Sequence, residues 1–93
     1  MRLGLAALAM VAACTQSSGT MVGIVVAVEG DLTAVTSFSV LVEGDTFEFI
    51  PVAGGEYAFP LPHLREHLRD GTPVRVGWEQ RGDDLAAISL ADG

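Results

Sequence analysis

His63 and His67 stand four residues apart with Glu66 between them, the one pair of imidazoles in the chain. On a helix this spacing puts both rings on one face a turn apart, where they could share a metal ion with Glu66 nearby as a base. A catalytic zinc needs a third protein ligand and an open position. Asp70 is the nearest candidate, a weak third ligand on the same segment, while Glu79 sits beside Trp78 on a predicted strand. A second set of metal-competent groups is purely carboxylate: Glu29 and Asp31 in one turn, Asp83 and Asp84 in another. Hard oxygen ligands of this kind suit calcium, although neither turn has the EF-hand spacing. The plainer reading is an exposed helix face and solvated hairpin tips. The third reactive group is Cys14, the only cysteine, so no intramolecular disulfide can form.

Cys14 is placed in a telling context. Met1-Arg2 carries one positive charge, Leu3 to Val11 is unbroken apolar sequence, and Val11-Ala12-Ala13-Cys14 is followed by the polar run Thr15 to Thr20. That order of charge, apolar stretch and small residues is the order of a secretory signal. The stretch resembles the lipobox of bacterial lipoproteins. The resemblance implies a signal peptide over 1–13, a diacylglyceryl group on the sulfur of Cys14, and a mature chain tethered through 14–20 to a membrane of the bacterial envelope. His63-Leu64-Arg65-Glu66-His67 likewise resembles the H-x-x-E-H zinc motif of inverzincin peptidases. That family draws its third ligand from a second helix, which this sequence does not supply.

The remaining pattern is mostly strands. Met21 to Val28 is β-branched and almost wholly apolar, with Gly23 marking a bend or bulge. Val35 to Val42 alternates, with Phe38, Val40 and Val42 on one face and Ser37 and Ser39 on the other. Thr46 to Ile50 alternates again, with Phe47 and Phe49 inward. Glu43-Gly44-Asp45 between them reads as a tight hairpin. Pro51 is expected to end the ladder or mark an edge, and Ala53-Gly54-Gly55-Glu56 to form a turn.

One helix follows. Pro62 suits its first turn, Leu61, Leu64 and Leu68 form its apolar face, and Gly71 then Pro73 stop it. Val74, Val76 and Trp78 alternate inward on the fourth strand. Arg81 to Asp84 turns, and Ala86, Ile88 and Leu90 share one face of the fifth.

Five strands with a helix between the third and fourth resemble, by element order over 21–93, the OB-fold, a small Greek-key barrel. In that fold the β1–β2 and β4–β5 loops flank the binding face. The resemblance therefore implies that Glu29, Asp31, Asp83 and Asp84 converge on one cleft.

Composition narrows the function. The 93 residues carry twelve acidic side chains, no lysine and a net charge of −7. Cleavage before Cys14 removes Arg2 and leaves twelve acids against four arginines. Phosphate backbones are held mainly by cationic side chains, so nucleic acid is excluded as a partner. Arg81-Gly82-Asp83 is read as turn chemistry, and the aromatic residues as core. No cofactor, phosphate loop or nucleophile elbow is present in the sequence.

The reading is a lipid-anchored, extracytoplasmic, non-enzymatic module for binding or envelope assembly, its partner another envelope protein or a divalent cation. One alternative is a metal-binding protein or metal-dependent enzyme using His63 and His67. Another is a cytosolic protein-interaction barrel starting at Met21.

Overall fold

A computed structural model describes residues 17–93. The expected signal peptide at 1–13, Cys14 and the first residues of the expected tether lie outside the described residues. Five strands and one helix follow in order: β1 (Ser18–Gly30), β2 (Val35–Val42), β3 (Asp45–Tyr57), a 3₁₀ turn (Leu61–His63) running into α1 (Leu64–Asp70), β4 (Val74–Arg81) and β5 (Asp84–Asp92). The strands close into a barrel in the order β1-β2-β3-β5-β4. Every pairing is antiparallel except β3 with β5. The fold is the OB-type barrel that the element order implies.

Closure depends on β1, which serves two neighbours in succession. Ser18 to Gly23 pair with Glu79 to Val74 of β4, and Ile24 onward pairs with β2 from Leu41. The changeover falls at Gly23. A methyl there would run into the Leu41 carbonyl and stand 2.7 Å from the Val40 side chain, so the backbones can approach only without one. The register irregularities of this strand lie further on, between Val25 and Ala27 and between Glu29 and Gly30. Ser18 to Thr20, expected in the tether, belong to β1. They need no apolar periodicity because β4 supplies their ladder and Gly19 lies flat against the Trp78 indole.

Turn chemistry works largely as the residues dictate. Glu43 and Gly44 both take positive φ, 48° and 89°, the geometry that two-residue hairpins require. Gly71 caps α1 with φ 74°, its N–H donating to the His67 carbonyl.

Three expectations fail for identifiable reasons. β3 does not stop at Pro51, which pairs in parallel register with Ala87, and the strand runs through Gly54 and Gly55 to Tyr57. The ladder is irregular between Pro51 and Glu56, and the Tyr57 hydroxyl bridges the gap. It accepts from the Val52 N–H at 2.9 Å and donates to the Ala87 carbonyl at 2.7 Å. In β5 the alternation slips. Gly77 faces Ser89 while Trp78 faces Ala87, so Ile88 is the extra residue of a bulge. Ala86 and Leu90 are buried as expected, but Ile88 is only partly buried and Ala87 enters the core in its place. Finally, α1 is rotated from its leucine stripe: Leu64 is fully buried, but Leu68 is 41% exposed and His67 takes the inward position.

The core follows the predicted faces of β2, β3 and β4. Phe38 and Phe49 stack with centroids 5.5 Å apart, surrounded by Val25, Val40, Val74, Val76 and Trp78. Leu64 joins this cluster from α1, which packs against β1.

Candidate metal centre

The inward rotation of α1 carries a histidine where the leucine pattern placed Leu68. His67 is only 4% exposed, and His63 lies one turn earlier at the junction of the 3₁₀ turn and the helix. Phe59, just before Pro60, walls both rings. Its centroid is 4.6 Å from His63 and 5.5 Å from His67, and the two imidazoles meet edge to face at 5.0 Å. These aromatic contacts restrict ring rotation and cover one side of the pair.

The third member comes from the far end of the chain. Asp92 closes β5, and the Gly93 N–H donates to the Pro73 carbonyl at 2.9 Å, holding this end beside the start of β4. Asp92 Oδ1 lies 2.8 Å from His67 Nε2 and 3.9 Å from His63 Nε2. Among the described residues, His63, His67 and Asp92 form the one group of three His, Cys, Asp or Glu side chains whose ligand atoms all fall within 4.8 Å of one another. They border an open pocket of about 420 Å³, to which Glu66, Asp70 and Thr72 also contribute. Three carboxylates on one rim make it attractive to cations.

Hydrogen bonds fix which nitrogen of His67 faces the pocket. Asp70 Oδ1 accepts from the Thr72 N–H at 3.0 Å and from its hydroxyl at 2.8 Å. These two bonds, the amide first, hold the Asp70 carboxyl below its ordinary pKa. With its proton given to Asp70, the Thr72 hydroxyl offers only lone pairs to His67 Nδ1 at 2.9 Å, and the Thr72 carbonyl offers another at 2.8 Å. Nδ1 must therefore carry a proton, an assignment that follows from its partners. Nε2 is left opposite the Asp92 carboxylate at 2.8 Å. Two lone pairs do not approach so closely unless a proton or a cation stands between them. An outer partner on one ring nitrogen that frees the other is the arrangement that orients metal-ligating histidines.

The sequence-derived candidates divide accordingly. His63 and His67 come together as their spacing predicts. Asp70, proposed as a weak third ligand, instead anchors Thr72, and Asp92 takes the third place. Glu66 stays at the rim, 3.7 Å from His63 Nδ1. Nothing in the sequence pointed to Asp92, because the closeness of β5's end to α1 exists only in the closed barrel.

The acidic cleft does not assemble. The Gln80 N–H, on the β4–β5 hairpin that carries Asp83 and Asp84, donates to the Ser17 carbonyl at the beginning of β1. Glu29 and Asp31 lie at the other end of that strand. Asp31 is also occupied: its Oδ1 accepts from the Thr33 N–H at 2.9 Å, the Ala34 N–H at 2.8 Å and the Thr33 hydroxyl at 3.1 Å. These bonds, the Thr33 amide first, lower its pKa. It shapes the β1–β2 turn, which Arg65 ties to α1 by donating to the Asp31 carbonyl at 2.7 Å.

No family model and no curated protein matches the chain. Solved structures do. The crystal structure of silver(I)-bound CusF superposes with a TM-score of 0.60 at 9% identity, covering 84% of this chain and all of that one. A structure of CusF–Ag(I), residues 10–88, from Escherichia coli gives a TM-score of 0.57 at 9% identity, with 85% and 98% covered. At this identity the likeness is one of fold.

Proposed function

We propose that this chain is a small, non-enzymatic metal-binding module that holds an ion through His63, His67 and Asp92. The observation that carries the reading is the convergence of two imidazole nitrogens and a carboxylate within 4.8 Å, on a rim already rich in carboxylates. Imidazole and carboxylate are ordinary ligands for a divalent cation. The fold agrees in kind, since both superposed barrels carry silver(I). The His63 and Asp92 side chains are open enough to move onto an ion, while His67 is held.

The module sits outside the cytoplasm, tethered by a lipid on Cys14, on the strength of Val11-Ala12-Ala13-Cys14 at the close of an apolar segment. Intact mass of the membrane-extracted protein under native conditions tests both parts. It is expected to report a diacylated chain beginning at Cys14 and one bound metal ion. Cys14→Ala should abolish the lipid mass and release the protein from the membrane fraction or stall its processing. His63→Ala and Asp92→Ala should each remove the ion while leaving the lipid. A lipid-free mass from the membrane fraction refutes the anchor, and a metal-free mass after zinc loading refutes the site.

A further inference from the structure

Resting on the metal-binding reading, we infer that the centre is selective for a borderline divalent ion of the zinc or copper(II) type, and that Asp92 sets this selectivity against soft monovalent ions such as silver(I). The donor set decides it. Two imidazoles and one carboxylate give nitrogen and oxygen but no sulfur. Soft cations seek thiolate or thioether, whereas imidazole with carboxylate suits zinc and copper(II). Met21, the methionine among the described residues, pairs with Val76 on the β1–β4 ladder and packs against the core, not on the rim of the pocket. Hard ions fare poorly for the opposite reason, since calcium takes six to eight oxygens and magnesium keeps an octahedral, mostly oxygen shell.

Geometry supports a small ion with short bonds. Zinc binds nitrogen and oxygen at about 2.0–2.2 Å, which sets tetrahedral ligand atoms roughly 3.3 Å apart. Asp92 Oδ1 stands 2.8 Å from His67 Nε2 and 3.9 Å from His63 Nε2, on either side of that spacing. A swing of roughly half an ångström at Asp92, set by that same ligand spacing, equalises the two. The Asp92 side chain is 73% exposed and free to make it. His67 stays fixed by Thr72, with Nε2 forward. Three protein ligands would leave a fourth position open toward the pocket.

Competition titrations with Zn²⁺, Cu²⁺, Ca²⁺, Mg²⁺ and Ag⁺ test this, alongside His63→Ala, Asp92→Ala and Asp92→Met, all in a full-length chain with Cys14→Ala so that no free thiol captures Ag⁺ away from the centre. This parent chain should take one equivalent of Zn²⁺ or Cu²⁺ at least about tenfold more tightly than Ag⁺, with Ca²⁺ and Mg²⁺ weaker still. Asp92→Met exchanges an exposed carboxylate for a thioether and should reverse the order in favour of Ag⁺. Tighter Ag⁺ than Zn²⁺ on the parent chain, lost in His63→Ala, overturns the selectivity and leaves the metal site standing. Binding by no ion overturns both. Undiminished Zn²⁺ binding in His63→Ala and Asp92→Ala removes the centre from these residues.

Discussion

His67 and Asp92 are 25 residues apart in sequence, and their side chains meet at 2.8 Å. The contact joins the helix plugging the barrel to the end of its last strand, so the candidate ligands also brace the fold.

A double-mutant cycle on this pair measures the brace. His67→Ala leaves the Thr72 carbonyl unserved and a void beside Phe59, and is expected to cost about 2–3 kcal/mol. Asp92→Ala should cost little. Their coupling should be about 0.5–1 kcal/mol, near the lower limit for contacting residues because Asp92 is open to solvent. Strict additivity in urea unfolding would show that the contact carries no stability.

Gly23 offers a sharper steric test. Gly23→Ala places a methyl against the Leu41 carbonyl and the Val40 side chain. It should destabilise by about 1–3 kcal/mol through overpacking. Gly44→Ala meets open space, and its cost should be about 1 kcal/mol, from positive φ alone. Equal midpoints for the two variants would mean that β1 does not need this close approach.

Tyr57→Phe isolates a single hydroxyl. The substitution leaves the Val52 N–H and the Ala87 carbonyl without their shared partner. A loss of about 1–3 kcal/mol is expected, with faster hydrogen exchange at Val52 as the local signature. Unchanged exchange there would show that the β3 irregularity is held by other means.

Acid should weaken the fold through Asp31 and Asp70. Both carboxyls have folded pKa values lowered from the ordinary 3.8 by hydrogen bonds from Thr33 and Ala34 or from Thr72. Their stabilisation is complete above the unfolded value and is lost as pH falls through the lower folded value. The fall in melting temperature should therefore begin near pH 4 and continue below it. Asp31→Asn with Asp70→Asn keeps the acceptor oxygens and should flatten that fall. An identical acid slope in the double variant would assign the loss to other carboxylates.

Much of the barrel was legible in the chain. Alternation in Val35 to Val42, Thr46 to Ile50 and Val74 to Trp78 gave the core faces, and Gly44 and Gly71 marked stops that occur where expected. What escaped were features that depend on a neighbouring element. Pro51 reads as a terminator, but a parallel partner and a tyrosine hydroxyl let the strand continue beyond it. The bulge at Ile88 brings Ala87 into the core in place of Ile88 while Ala86 and Leu90 stay buried, and a period of two cannot announce its own interruption. The site divides the same way. The helical spacing of His63 and His67 is local, whereas Asp92 joins them only after closure. Asp70 was the local substitute, yet its oxygens go to Thr72.

The division of β1 between two neighbours has a kinetic consequence. Its first half rests on β4, with Ser18 opposite Glu79 and Gly23 opposite Val74, separations of more than fifty residues. That half can find no ladder until most of the domain has been synthesised. Contacts so distant in sequence must close a large loop before they return any free energy, which slows the search. The domain should therefore fold late and all at once, and a nascent chain released before β4 should show no protease-resistant fragment.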